Sequence, residues 1–326
     1  MRYKLVSKTC LLLVLNMLCG VAIAAPQIAI QKSEEIFDLF CLANASGYSF
    51  ENKDHYSDAR TMTQTYLSDS NDDCKNELND FKTLTKDDIY YSKLMNQLFA
   101  DSGSLAVKTK FNVLRRKYKK CANLGVLEKK LSSEYEKEIR YYKKNIPLIV
   151  SFVKKQLNLS SSLWPDKIVV IPNLLDAHYR GYNIQNNNNV FIIVGPGRDR
   201  NNLITIVHEL IHVLFNNDVK ISQPCPLLYQ KFEAIKKTYP IVASGYADLG
   251  VYLRENMAIG FEVYLAKKYF GIAEGKLFTN YRKQRFIFAL PFLRYLEKQD
   301  DGISDVHKMV QLYWNDICSG SDGLLH

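Results

Sequence analysis

Thr205-Ile206-Val207-His208-Glu209-Leu210-Ile211-His212-Val213-Leu214 is the stretch around which the rest of the chain organises itself. Its two histidines stand four apart. Residues at that spacing share one face of an α-helix, so both imidazoles can reach a single Zn2+. Glu209 lies about 100° around the same helix, close enough to hold a water at the ion without displacing it. The ion lowers the pKa of that water, and a carboxylate can take its proton as it attacks a carbonyl. On a helical wheel His208, His212, Thr205, Asn216 and Glu209 fall within roughly a 100° arc. Leu203, Ile206, Val207, Leu210, Ile211, Val213, Leu214 and Phe215 fill the remainder. The pattern predicts a buried helix with one polar stripe. Burying two imidazoles and a carboxylate with no ion would be costly, which favours one zinc per chain.

Working outward, Lys167-Ile168-Val169-Val170-Ile171 is a β-branched run ending at Pro172, and so reads as a strand. Gly181 to Gln185 and Val190 to Val194 read as a strand pair around an Asn-rich turn, stopped by Gly195-Pro196-Gly197. Residues 30 to 160 read as helical. Ser33 is a candidate cap for a helix from Glu34, and Asp87 to Ala100 and Thr109 to Leu157 repeat apolar residues at three and four. From Asn201 to Trp314 the chain is again mostly helical. Strands, a central helix and then more helices define an α+β class. Residues 25–160 form a mainly helical N-terminal region, and residues 161–326 hold the small mixed sheet, the active-site helix and the C-terminal helices. The N-terminal region is read as a module, a pro-segment or the upper part of one domain.

The composition is that of a globular chain, 47% hydrophobic and 24% charged over 326 residues, which excludes a disordered or collagen-like protein. Residues 1–24 read as a secretory signal. Arg2, Lys4 and Lys8 give a positive start, Leu11 to Leu18 an apolar run, and Ala22-Ile23-Ala24 a cleavage site. The mature chain is then secreted or periplasmic, with no membrane span. That segment holds three basic residues and no acidic one, so the formal charge falls from +9 to +6. The lysines are spread out, as solvated helix faces are, and no nucleic-acid partner is expected. Removing Cys10 and Cys19 leaves Cys41, Cys74, Cys121, Cys225 and Cys318, none at CxxC spacing. An oxidising compartment allows two disulfides and one free thiol, with a pair among the first three and Cys225 joined to Cys318. Asn44-Ala45-Ser46 and Asn158-Leu159-Ser160 are glycosylation acceptors if the source is eukaryotic.

The segment from Thr205 to Leu214 resembles the extended motif of the zincin metallopeptidases, with Thr at its start, uncharged residues between the ligands and an apolar tail. The metzincin subgroup would need Gly at 215 and His at 218, where this chain has Phe215 and Asp218. Gluzincins take a Glu from a later helix, and Arg254 to Glu262 resembles their second signature. The resemblance implies Glu255 as third ligand, with Glu262 on the same face as a supporting carboxylate. Gly245-Tyr246-Ala247-Asp248 partly resembles the aspzincin signature, which would make Asp248 the third ligand instead. Two features depart from the gluzincin pattern. Ile259 stands where thermolysin-like enzymes often carry an Asp that braces the first His, and the Gly-x-Met-Glu-Asn exopeptidase sequence is absent. Asn216, one turn beyond His212, is a candidate for a related bracing role.

The resemblance, covering roughly residues 190 to 265, implies a zincin-like catalytic domain that hydrolyses peptide bonds in a peptide or protein substrate. In that family the strand before the active helix lines the cleft, which here would be Val190 to Val194. His208, His212 and Glu255 would bind zinc, and Glu209 would be general base and then acid. Tyr246 and Tyr252 are candidate donors to the developing oxyanion, and His178, Tyr264 and His307 are further ones. Two other classes stay open: a secreted binding protein on the same scaffold, and a zinc amidase acting on cell-wall or other non-peptide amides.

Overall fold

Four short strands divide the molecule into two cores. In a computed structural model, described over residues 26–48, 56–69, 72–86, 91–159, 163–215, 226–246, 248–299 and 306–319, the class is α+β with one small mixed sheet. The strands are β1 (Gln27–Ile30), β2 (Lys167–Pro172), β3 (Gly181–Asn186) and β4 (Asn189–Val194), in the spatial order β1-β2-β4-β3. β1 and β2, and β2 and β4, run parallel, whereas β3 is antiparallel to β4. The uninterrupted apolar run of β2 follows from burial on both faces. Ile168 and Val170 point into one core with Val190, Ile192 and Val194, while Val169, Ile171 and Ile193 point into the other.

The second of these faces is covered by α1 (Glu34–Ala45), α2 (Asp58–Ser68), α3 (Lys75–Leu84), α4 (Ser92–Phe99) and α5 (Leu105–Cys121). The first is covered by α7 (Arg200–Phe215), α8 (Pro226–Thr238), α9 (Pro240–Gly245) and α10 (Leu249–Phe270). The short helices α11 (Glu274–Leu277) and α12 (Asn280–Arg285) follow, then α13 (Ala289–Lys298) and α14 (Val306–Ser319). The 34-residue α6 (Leu124–Leu157) joins the two cores. Leu127, Leu131 and Tyr135 pack into one, and Tyr142, Ile146, Ile149 and Val153 into the other.

This arrangement bears on one open reading and alters two expectations. The helical N-terminal region is tied into the sheet, because Gln27 to Ile30 pairs in register with Lys167 to Val170, so a boundary near residue 160 does not separate two independent cores. β4 is an interior strand between β2 and β3, so Val190 to Val194 cannot be the cleft edge, and β3 takes that place. Asn44 is not a sugar acceptor: it is buried, donating to the Phe40 and Leu175 carbonyls at 2.7 and 2.9 Å and accepting from Arg60 Nε at 3.0 Å.

Cys74 and Cys121 form a disulfide across 47 residues, and Cys41 is a buried free thiol. Cys318 is also disulfide-bonded, while Cys225, expected as its partner, lies outside the described residues. The signal sequence and Asn216 lie outside them too. No helix among the described residues is long and apolar enough to cross a membrane.

α10 is pinned from two sides. The Phe215 and Phe261 rings stack at 4.8 Å between α7 and α10, and Gly260 lets α13 approach from the far side. A Cβ at Gly260 would lie 2.6 Å from Phe292 Cδ1 and 3.2 Å from the Ala289 carbonyl oxygen. In an open helix Gly→Ala would stabilise by about 1 kcal/mol. Here overpacking of roughly 1–3 kcal/mol opposes it. Gly260→Ala should therefore lower the denaturant midpoint, read by circular dichroism; a raised midpoint would mean that α13 yields freely.

Candidate metal centre

The polar stripe of α7 faces α10. Asp199 caps α7, accepting from Asn202 N at 3.0 Å. Asn202 in turn donates to the Tyr142 hydroxyl at 2.9 Å and to the Gly195 carbonyl at 2.6 Å, fixing the loop that aims the helix. Leu203, Ile206, Leu210, Ile211 and Leu214 are buried, leaving His208 and His212 on the half-buried remainder. α10 is capped by Asp248, whose carboxylate accepts from Val251 N at 2.8 Å, and ends at the left-handed Gly271. Its residues Glu255 and Glu262, seven apart, both reach α7.

The ligand-type atoms converge. His208 Nε2 lies 3.0 Å from His212 Nε2 and 3.5 Å from Glu255 Oε1, and His212 Nε2 lies 3.2 Å from Glu255 Oε2. Donors at zinc distances of about 2.0–2.1 Å in a tetrahedron stand about 3.3 Å apart. The observed separations bracket that value, so these side chains fit one small divalent ion. Glu262 Oε2 accepts from His208 Nδ1 at 2.9 Å, which fixes the tautomer that turns Nε2 towards the cluster. Among the described residues, His208, His212 and Glu255 are the group of three whose donor atoms can meet at one ion.

Glu209 points elsewhere on the same stripe. It is 8% exposed, and Asn183 of β3 donates to its Oε2 at 2.5 Å. Gly181 makes that approach possible, since a Cβ there would sit 2.7 Å from Glu209 Oε1 and from Thr205 Cγ2. Gln185, two further along β3, reaches the Val213 carbonyl at 3.3 Å. Pleat alternation turns Gly181, Asn183 and Gln185 towards α7, while Tyr182 and Ile184 enter the opposite core. Gly195 N donates to the Arg180 carbonyl at 2.8 Å, so the peptide groups of Gly181 and Asn183 face away from β4. Among the described residues no strand pairs with this side of β3, which runs beside Glu209.

Two clefts of about 610 and 680 Å3 meet at the cluster and share Arg180, Gly181, His208, Glu209, Glu255 and Phe286. The first runs between β3 with α4 on one side and α9 with α10 on the other, the second along the start of α7 to α11. Tyr246 lines the first, half-buried, its ring edge-on to Tyr252 and Phe286. Tyr252 does not line either one. It is fully buried, donates to the Arg285 carbonyl at 2.6 Å and so holds the segment bearing Arg285 and Phe286. His178 bonds the Pro196 carbonyl at 2.8 Å, Tyr264 is buried in the core, and His307 packs on Phe215 at 5.2 Å. None of these three lines the clefts among the described residues. Asp248, a helix cap, stands outside the cluster.

The sequence reading missed Asn183, Gly181, Arg180 and the α4 residues Ser92, Met95 and Asn96. The alternation of β3 would have placed Asn183 opposite α7; nothing in the α4 sequence signals a cleft wall. Compared with known proteins, the chain matches no family model, no curated protein and no solved structure.

Burial alone would lower the His208 pKa, but Glu255, the bond to Glu262 and the charge of Glu209 together raise it from 6.5 to about 9. In the metal-free protein the imidazolium then stabilises the fold. That contribution is complete below pH 6.5 and is lost as pH rises through about 9. The melting temperature of metal-free protein should fall across this window, and His208→Asn should flatten the fall. A profile unchanged by His208→Asn would contradict the placement of these carboxylates.

Proposed function

We propose that the chain is a zinc-dependent peptidase of the gluzincin-like kind, hydrolysing peptide bonds with an activated water. The observation that carries it is the convergence of His208, His212 and Glu255 at zinc-compatible separations, with Glu209 beside them at the junction of two clefts. Zinc, when bound, would supply a Lewis acid that acidifies water and polarises the scissile carbonyl. His208 and His212 offer imidazole nitrogens, Glu255 offers a carboxylate, and Glu262 keeps His208 in the tautomer that binds.

Glu209 is the proton carrier. Asn183 holds Oε2, which leaves the other oxygen to take a proton from the attacking water and to return it to the leaving amine. Burial of the carboxylate keeps bulk water from competing for that proton. The side of β3 away from β4 suits an extended peptide, whose backbone can add to the sheet as a further strand. Tyr246 is the candidate donor to the developing oxyanion, being the tyrosine of the two that reaches the cleft. The export signal read from residues 1–24 suits an enzyme working outside the cytoplasm.

Of the three readings open to the sequence, the secreted binding protein, whose metal site would be structural, fits least. Such a site has no use for a carboxylate held beside the ligands by its own amide donor.

Glu209→Gln keeps the shape of the side chain and removes its basicity. Peptide hydrolysis should fall on the order of 10²–10⁴-fold, with one zinc retained per chain by elemental analysis. Full activity in this variant would end the assignment.

A further inference from the structure

The charge of the cleft is one-sided. Outside His208, Glu209, His212, Glu255 and Glu262, its charged lining residues among those described are Arg180, Arg254, Arg285 and Lys276. No other acidic side chain lines either lobe among them. Three of the cations, Arg180, Arg254 and Arg285, face the lobe bounded by α4 and β3 across from α9 and α10.

Two of the guanidinium groups are well placed to recognise a ligand. Arg254 comes from the same turn of α10 as Glu255, is half-buried, and has no carboxylate partner among the described residues. Arg180 is braced from below. Its Nε donates to the Tyr182 hydroxyl at 3.3 Å, and that hydroxyl donates to the fully buried Asp176 at 2.9 Å. Asp176 is itself held by the Ala177 amide at 2.8 Å, and the Arg60 guanidinium lies 4.0 Å away. Arg180 is thereby fixed at the point where both lobes meet the centre. A guanidinium fork matches a carboxylate in two parallel hydrogen bonds, and it does so best where its geometry is already set.

We propose that the lobe between α4 and α10 binds a carboxylate of the substrate next to the scissile bond, with Arg254 as the main contact and Arg180 and Arg285 beside it. This rests on the peptidase reading and names the substrate class within it: peptides that present an acidic side chain, or a free C-terminal carboxylate, at that position. The two sources share one chemistry and differ in where the negative charge sits along the chain.

The test is a binding comparison on the full chain, zinc-loaded and carrying Glu209→Gln, read by fluorescence anisotropy. The probes are a neutral peptide blocked at both ends, the same peptide with Gln replaced by Glu, and the neutral peptide with a free C-terminal carboxylate. At least one anionic probe should bind about tenfold tighter than the blocked neutral one. Tighter binding of the Glu peptide assigns the site to a side chain, and tighter binding of the free acid assigns it to a terminus. Arg254→Met should reduce the preference to about twofold or less while neutral affinity and zinc content hold, and Arg254→Lys should keep part of it. Equal affinities, no binding of any probe, or a preference indifferent to Arg254→Met would overturn the proposal. Hydrolysis of the neutral peptide by the unsubstituted chain is scored separately. Cleavage without charge preference removes only the carboxylate site, whereas an Arg254-dependent preference without cleavage of any probe removes only the peptidase reading.

Discussion

Two carboxylates and two imidazoles are gathered between α7 and α10, with the Glu209 carboxylate beside them against β3, and the architecture around them is arranged to keep them there. Glu255 and Glu262 come from one helix, Glu209 from the other, and each is turned towards a partner rather than towards open solvent. Such a group is unfavourable without a positive charge at its middle. In the metal-free protein a proton on His208 supplies part of it, and a divalent ion would supply more. The packing around the cluster follows from the same requirement. Phe215 stacks on Phe261 to hold the helices in register, and Gly181 brings β3 close enough for Asn183 to reach Glu209.

The sheet does more than carry α7. Its far face is covered by the N-terminal helices, and one of them, α4, returns to the cleft with Ser92, Met95 and Asn96. β1 closes the opposite edge of the same sheet. The N-terminal region thus belongs to the folded unit that builds the site. The buried run from Arg60 through Asp176 and Tyr182 to Arg180 links that region to the cleft wall in hydrogen bonds and charge.

How much of this the sequence could convey depends on the range of each interaction. The α7 stripe was legible because its pattern is local: ligand spacing, apolar filling and helix period all lie within sixteen residues. β2 and the β3–β4 hairpin were legible for the same reason. β1 was not, since four residues carry little pattern and their partner is some 140 positions away. The edge position of β3 was missed because strand order is decided by pairing, which propensity does not encode. Tyr246 and Tyr252 look alike in sequence; only packing sends one to the cleft and buries the other beneath Arg285. In sequence Glu255 was the favoured third ligand and Asp248 its rival; α10 turns Glu255 towards His208 and His212 and uses Asp248 as its cap.

That choice between Glu255 and Asp248 tests the central claim most directly. Zinc affinity should be measured by competition with a chromophoric chelator for the unsubstituted chain, Glu255→Ala and Asp248→Ala. Glu255→Ala should weaken binding roughly 100-fold or more, since even partners outside the ligand set are worth 10–100-fold. Asp248→Ala should leave affinity within about twofold and lower stability by about 1 kcal/mol through loss of the helix cap. Loss of zinc in Asp248→Ala with Glu255→Ala unaffected would contradict the account.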